Sequence, residues 1–394
     1  MSVGQAPIAV ESTAGENPYL REEHIALRDQ LRRFIATEVA PKALQWEADG
    51  MVPRSVLRRM GELGFLGIRY SNAYGGSELD TVATAVLAEE LGRSTFGGFA
   101  ITVLVHTDMA SPHLANAGTP AQLARYMPDI IAGRKIAAVA VTEPDAGSDV
   151  AGIRTTARRV GDEWVLNGTK MFITNGVHGD VVFVAAKTDA SVKPSRGVSI
   201  FIVEAGTPGF TVGRALDKQG WLSSDTAELV FDDCRVPAAN LLGPENGGFY
   251  AIMRNFQNER IVLGAQAMGE AQAALALTLN WTRQRKAFGS TLWDRQVIRQ
   301  RLSMLAAKVE AARCLVYQAA WLDAQKRDCI KEVSMVKALC GELVNEVMYA
   351  CQQFHGGMGY IRESAIERMV RDARVQAIGG GATEVMLEEV AKRL

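Results

Sequence analysis

The chain is short of paired cysteines, of basic residues at its start and of long apolar runs. Its five cysteines, Cys234, Cys314, Cys329, Cys340 and Cys351, form no CxxC pair, which argues against a zinc ribbon or a disulfide framework. They read as buried thiols of a reducing compartment. Residues 1–16 hold no Lys or Arg, so neither a signal peptide nor a mitochondrial transit segment is expected there. No apolar stretch reaches the length of a membrane span. With 43 Lys and Arg against 44 Asp and Glu the net charge is -1, too balanced to draw the chain onto nucleic acid or an anionic membrane. No metal site and no internal repeat is visible. A cytoplasmic protein is the expectation.

What is present is enough apolar residue, 48% of 394 positions, to build two or three cored units. Residues 1–18 read as a mobile segment, and 19–135 as an α-helical domain. Within it Ala26–Val39 carries apolar residues near a 3.6 period before Pro41 interrupts. Arg54–Leu63, Leu79–Gly92, Phe96–Ala117 and Pro120–Ile131 follow as helices. From 136 to 243 the texture changes to short β-rich runs separated by turn residues: Ile136–Val141, Thr155–Val160, Trp164–Leu166, Val181–Lys187, Val198–Glu204, Phe210–Ala215 and Glu228–Val236. They predict a small barrel or sandwich. Residues 244–394 return to long helices, the pattern of a bundle. The first of these, Gly247–Arg285, has Ala265, Ala267, Gly269, Ala271, Ala273 and Ala274, which would let another helix come close. The fold class expected is therefore α+β multidomain: helices, then a β-domain, then a helical bundle.

Two stretches carry the strongest chemical signal. Thr142-Glu-Pro-Asp-Ala-Gly-Ser-Asp149 and Asn167-Gly-Thr-Lys-Met-Phe-Ile-Thr-Asn-Gly176 both follow apolar β-like runs and read as Gly-containing turns. The freed backbone at Gly147, the hydroxyls of Thr142, Ser148 and Thr174, and the ring of Phe172 could cradle a planar cofactor, because glycine permits close approach and an aromatic stacks on a conjugated ring.

With Ala117-Gly-Thr119, Asp217-Lys-Gln-Gly-Trp221, Phe231–Pro237, Asn240–Gly243, Arg283–Gly289, Gln353–Tyr360 and Arg371–Arg374 in this order, the chain from about residue 20 onward resembles the acyl-CoA dehydrogenase family. The resemblance implies FAD held between β-domain and bundle. Val139, Val141, Thr142, Gly147 and Ser148 would line the flavin, and Phe172, Ile173 and Thr174 would cover its other side. Arg285, Phe288, Gln296, Gln353, Gly356 and Gly357 would reach the FAD of a neighbouring subunit, with Ala382 and Glu384 also at the cofactor. A homo-oligomer, a tetramer built as a dimer of dimers, follows. Read without the resemblance, Arg283, Arg285 and Lys286 are equally a solvated charge cluster at a helix end.

The reaction implied is α,β-dehydrogenation of an acyl-CoA thioester to the trans-2-enoyl-CoA. A carboxylate removes the α-proton and flavin N5 takes the β-hydride; electrons then pass to electron-transfer flavoprotein. Many members carry the base in a Tyr-Glu-Gly-Thr turn, where this chain has Gly379-Gly380-Gly381-Ala382. A long-chain and isovaleryl-type subset carries it instead on an earlier helix, as Glu-Arg before an apolar run. Here that is Gln257-Asn-Glu-Arg260, which makes Glu259 the expected base. The alternative for Glu259 is an ordinary helical pair with Arg254 or Arg260. Gly380 would still offer its N–H to the thioester oxygen. Ser148, Gln257, Arg260, Gly379 and Gly381 are expected at the substrate, Arg260 either touching CoA or making a structural salt bridge. The loss of two side chains at 379 and 380 suggests room for long or branched acyl chains. Two alternatives stand beside this: a flavin monooxygenase or oxidase on the same scaffold, and a non-catalytic acyl-CoA-binding relative.

Overall fold

The computed structural model describes residues 17–394; nearly all of the expected mobile segment lies outside the described residues. The N-terminal unit is helical: α1 (Glu22–Phe34), α2 (Ala43–Asp49), α3 (Arg54–Glu62), α4 (Thr81–Arg93), α5 (Gly97–Leu104), α6 (Ser111–Ala117) and α7 (Pro120–Ile131). Local chemistry sets their starts. The Asp80 side chain accepts the Ala83 N–H at the head of α4, and Thr119 and Gln122 form a reciprocal capping box ahead of α7.

The expected continuous helix Phe96–Ala117 is broken. A π-turn, Val105–Ala110, separates α5 from α6. Pro112 explains part of this, because it has no N–H to give to the Asp108 carbonyl four residues back. A similar π-turn, Ile35–Val39, ends α1.

The middle unit is a sheet in the order β6-β7-β3-β2-β4-β5-β8, with β1 parallel to β4. The strands are β1 (Ala137–Ala140), β2 (Thr156–Val160), β3 (Glu163–Thr174), β4 (Val181–Lys187), β5 (Val198–Glu204), β6 (Phe210–Ala215), β7 (Thr226–Pro237) and β8 (Leu241–Leu242). Central strands are buried on both faces. Val181, Phe183 and Ala185 point into one core shared with Tyr126 and Ile130 of α7, while Val182, Val184 and Ala186 join Trp164 and Phe201 in another. This is why β4 reads as an unbroken apolar run. One expectation is corrected here. Asn167–Thr174 is not a turn but the second half of the twelve-residue β3, with register shifts at Leu166/Gly168 and Lys170/Ile173. Its glycine and its aromatic sit at bulges, which bend a strand without ending it.

The last unit contains α8 (Gly248–Gln284), α9 (Gln296–Ala324), α10 (Ile330–His355), α11 (Ala365–Ala373) and α12 (Thr383–Ala391). The small residues of α8 meet two partners. A Cβ on Gly269 would strike the Glu89 carbonyl of α4, one on Gly92 of α4 would strike the Gln266 carbonyl, and one on Gly264 would strike Val336 of α10. Backbones come this close only where no side chain intervenes. Asp372 of α11 locks the three units together by accepting the N–H groups of Gly97 (3.1 Å) and Trp221 (2.6 Å). Among the described residues no helix is long and apolar enough to cross a membrane. Four cysteines are buried as expected, but Cys314 is exposed on α9.

Candidate active site

The π-turn is the hub of the site. Toward the sheet, His106 accepts the Ala137 N–H at the start of β1 (3.0 Å) and bonds the Ile130 carbonyl (3.0 Å). Complete burial lowers its pKa to about 4, so it is a neutral, fixed ring. Asn175, just after β3, donates to Thr102 of α5 (3.1 Å) and to Ala137 (3.3 Å). Toward the bundle, the freed Asp108 carbonyl accepts from Asn258 (2.8 Å), and the Met109 carbonyl accepts from Asn255 (3.0 Å), both on α8. The two sequence motifs and the first bundle helix are thus held on opposite sides of one helical turn.

On the sheet side, a buried ion pair fixes the cradle. Lys170 donates to Glu143 (2.8 Å) and to the Val141 carbonyl (2.9 Å), while Glu143 also accepts the backbone N–H of Thr155 (2.9 Å) and of Arg154 (2.5 Å). Burial opposes ionisation of both. The Lys170 charge and these hydrogen bonds nevertheless hold Glu143 below the usual carboxylate value, and burial brings Lys170 down to about 8. The Met171 N–H reaches the Thr142 carbonyl (2.9 Å) and joins the two motifs directly. Beside this tie Phe172 takes a positive φ of 61° and stands 66% exposed. A bulky residue in that conformation is uncommon. It leaves a large ring uncovered next to exposed Gly147 and Ser148 and half-buried Val139, Val141, Thr142 and Thr174. A Cβ on Gly147 would meet nothing nearer than Thr142 Cγ2 at 4.0 Å. An unsatisfied aromatic face, hydroxyls and open backbone fit a flat heterocyclic cofactor. Ile173 differs from the rest: its side chain is buried in the sheet core, so only its backbone is on offer.

A second cluster forms at the far end of α8 and α10. Trp281 donates to the Phe354 carbonyl (3.0 Å) and stacks on His355 at 5.2 Å, and Arg285 lies 6.0 Å from the Trp281 ring, at the end of the bundle that also carries Gln353, Gly356 and Gly357. All four are exposed, as are Gln296 and Phe288, the latter 97% exposed at φ 52°. A Cβ at Gly356 or Gly357 would meet no atom within 4 Å. No hydrogen bond or ring contact among the described residues joins this cluster to the sheet-side cradle. Ala382 and Glu384 lie elsewhere, in the wall of a cavity of about 570 Å³ with Glu342, Tyr349 and Arg374.

Glu259 sits on α8 at 7% exposure. It forms no ion pair with Arg254 or Arg260. Among the described residues its one side-chain hydrogen bond is from Asn255, at 2.9 Å. Burial lifts its pKa to about 8, against the opposing pull of Asn255 and of Arg260. Among the described residues Arg260 makes no salt bridge either; its Nε is buried there without a partner and its guanidinium lies 5.9 Å from the Phe256 ring. Gln257 is half-buried and Gly379 is open, with Val375 Cγ2 the nearest atom to an added Cβ at 3.6 Å.

The glycine turn is not the void that the sequence suggests. A Cβ on Gly380 would run into Leu263 Cδ1, one turn after Glu259, and one on Gly381 would press on Met386. Both glycines have positive φ, 64° and 105°. The Gly380 N–H donates to no protein group among the described residues. Lys337 of α10 donates to the carbonyls of Gln376 (2.6 Å) and Gly381 (3.0 Å) and so pins the turn from both sides.

Sequence reasoning missed Glu143, Lys170, Asp108, Asn255, Asn258 and Lys337. Glu143 and Lys170 lay inside the quoted motifs, and Asn255 stands four residues before Glu259, a spacing at which helical side chains meet. For Lys337, one of two lysines in α10, no sequence signal pointed to a loop.

Comparison with known proteins bears on this arrangement. Residues 21–134, 138–234 and 246–394 match, in order, the family descriptions "Acyl-CoA dehydrogenase, N-terminal domain", "middle domain" and "C-terminal domain". The mouse long-chain specific acyl-CoA dehydrogenase is 41% identical over 373 residues, 94% of this chain and 86% of that protein. A crystal structure of an acyl-CoA dehydrogenase from Geobacillus kaustophilus superposes with a TM-score of 0.93 at 40% identity, covering 96% of this chain and 99% of the other. The FAD complex of PigA superposes at 0.92 with 27% identity, covering 96% and 99%.

Proposed function

The chain belongs to the acyl-CoA dehydrogenase family, and from that premise we propose that it oxidises a long-chain or branched acyl-CoA to the trans-2-enoyl-CoA with Glu259 as the base. It is an enzyme acting on CH–CH groups, with FAD as the family's cofactor. When bound, FAD supplies the acceptor for the hydride that leaves the β-carbon.

The protein's own residues do the rest. Glu259 takes the α-proton: the Cα–H bond breaks, the proton goes to a carboxylate oxygen, and the electron pair moves into the forming double bond as the β-hydride departs. The thioester oxygen gains charge as this happens. The unengaged Gly380 N–H, held by the Lys337 clamp, is available to stabilise that charge without reorganisation. The sheet-side cradle and Phe172 hold the flavin ring, with Ser148 and Gln257 toward the acyl-CoA. Arg260, which makes no salt bridge among the described residues, can turn its guanidinium toward the CoA moiety.

The observation that carries this reading is the burial of Glu259 with no ion pair among the described residues. A surface Glu–Arg pair has no need of such a site, whereas a general base benefits from a raised proton affinity. The exposed Arg285, Phe288, Gln296, Gln353, Gly356 and Gly357 would serve a neighbouring subunit's cofactor in a homotetramer. Electron-transfer flavoprotein is the expected electron acceptor.

Anaerobic titration of the purified flavoprotein with straight and branched acyl-CoAs, following loss of flavin absorbance, tests the reading. Bleaching by long or branched chains supports it. Absence of bleaching by every acyl-CoA contradicts it.

A further inference from the structure

One side chain stands between the π-turn and the base. Asn255 is 5% exposed, and its Nδ2 lies 3.0 Å from the Met109 carbonyl and 2.9 Å from Glu259 Oε1. The two hydrogens of the amide nitrogen serve Glu259 on one side and, on the other, the adjacent carbonyls of Met109 and, at 3.4 Å, Asp108. Turning the amide over would set its oxygen against these oxygens, so the network fixes its orientation. Met109 is in turn immobilised by the π-turn, whose Asp108 carbonyl is free for α8 because Pro112 cannot donate to it. Asn258 anchors the same turn (2.8 Å). The result is a rigid bracket from the N-terminal domain to one oxygen of the carboxylate.

Resting on the assignment of Glu259 as base, we propose that Asn255 is a positioning residue: it holds the Glu259 carboxylate in the orientation that receives the α-proton and favours its ionised form by donating a hydrogen bond. A buried carboxylate would otherwise rest protonated and unable to accept a proton. The donor offsets part of that penalty, because an N–H bond is stronger to the anion than to the neutral acid. The other charges facing the group are few. Arg260 is on its own helix, Asp108 on the π-turn is neutralised by Arg69 at 3.1 Å, and Lys337 on α10 is engaged by two carbonyls. None hydrogen-bonds Glu259, so removal of Asn255 leaves the carboxylate without a side-chain donor among the described residues.

The test uses the FAD-loaded full-length protein and Asn255→Leu, with Asn255→Ser as a less disruptive second variant. Anaerobic stopped-flow bleaching by a reactive acyl-CoA is measured across pH, beside Glu259→Gln. In the Asn255 variants the rising limb should move up by about one pH unit or more. The rate at neutral pH should then fall about tenfold or more and recover at alkaline pH, with KM little changed. Glu259→Gln should stay slow at every pH. Infrared difference spectra against Glu259→Gln give a readout independent of turnover: the neutral carboxyl band should persist to higher pH in the Asn255 variants. A loss of rate that is the same at all pH, or an unmoved carboxyl band, overturns the proposal while leaving Glu259 as base. If Glu259→Gln bleaches as fast as the unaltered enzyme, the base assignment falls and this proposal with it.

Discussion

Leu263 Cδ1 occupies the place that a β-carbon on Gly380 would need. Leu263, one turn beyond the proposed base Glu259, therefore fills the space beside the glycine turn. The two arrangements exclude each other: a side chain at 380 and a packed Leu263, only 4% exposed, cannot share that space unless one yields.

Gly380→Ala should therefore be costly twice, through its φ of 64° and through the clash. A loss of about 1–3 kcal/mol in unfolding free energy is expected, along with slower flavin bleaching as the turn shifts. Adding Leu263→Ala should recover part of the loss of rate, because it removes the clash but not the strain. A double-mutant cycle read by denaturation and stopped flow measures the coupling. Strict additivity would show that the two positions do not compete.

Lys170→Met should destabilise the protein by about 3–5 kcal/mol, because it leaves Glu143 buried without its cation, and should lower flavin content. Lys170→Met with Glu143→Gln should be milder, since no unpaired charge remains. Chemical denaturation and the flavin-to-protein absorbance ratio check both. Equal losses in the single and double variants would mean that charge is not the issue.

The architecture was legible where local signals were strong. Pro41 marks a helix end in the sequence as it does in the structure, and Pro120–Ile131 has the bounds that its sequence predicts. Two misreadings have physical causes. Asn167–Thr174 has the composition of a turn, yet pairing with β7 keeps it extended and spends its Gly168 and Phe172 on bulges. Pro112 was visible, but a proline in the first turn of a new helix looks the same in sequence as one inside a long helix. At the site, Glu259 was reached through a resemblance. Its isolation from arginine was not legible, because that depends on which way Arg254 and Arg260 turn. The filling of the glycine turn by Leu263 is likewise a contact between segments more than a hundred residues apart, which periodicity does not reveal.

The pH dependence of catalysis has a definite sign. Burial raises Glu259 to about 8, and a general base must be ionised. In the free enzyme kcat/KM should rise with pH through about 8 and then level. A flat profile between pH 6 and 9, on the order of the range a Glu of ordinary pKa would leave featureless, would contradict the assigned environment.

Glu270 gives an independent check on buried acids. It is 4% exposed and accepts from Gln266 (2.8 Å), and burial raises its pKa to about 8. Because the folded value lies above the unfolded one, its neutral form adds stability that is present below the unfolded pKa and is lost as pH rises toward 8. Glu270→Gln should remove this dependence, and its new N–H can reach the unpartnered Gln266 Oε1. Relative to the unaltered protein it should be stabilised by about 3 kcal/mol more at pH 8 than at pH 5. Melting curves at both pH values decide; an equal shift at the two would show that Glu270 does not titrate on unfolding.

The proposed removal of the α-proton by Glu259 is best tested by following that proton itself. A saturated acyl-CoA incubated in D2O with the anaerobic FAD-loaded enzyme should exchange its α-hydrogens for deuterium, read by mass spectrometry or NMR. Exchange is expected with the unaltered protein and none above background with Glu259→Gln at equal flavin content. Exchange that persists in Glu259→Gln would place the base on another residue.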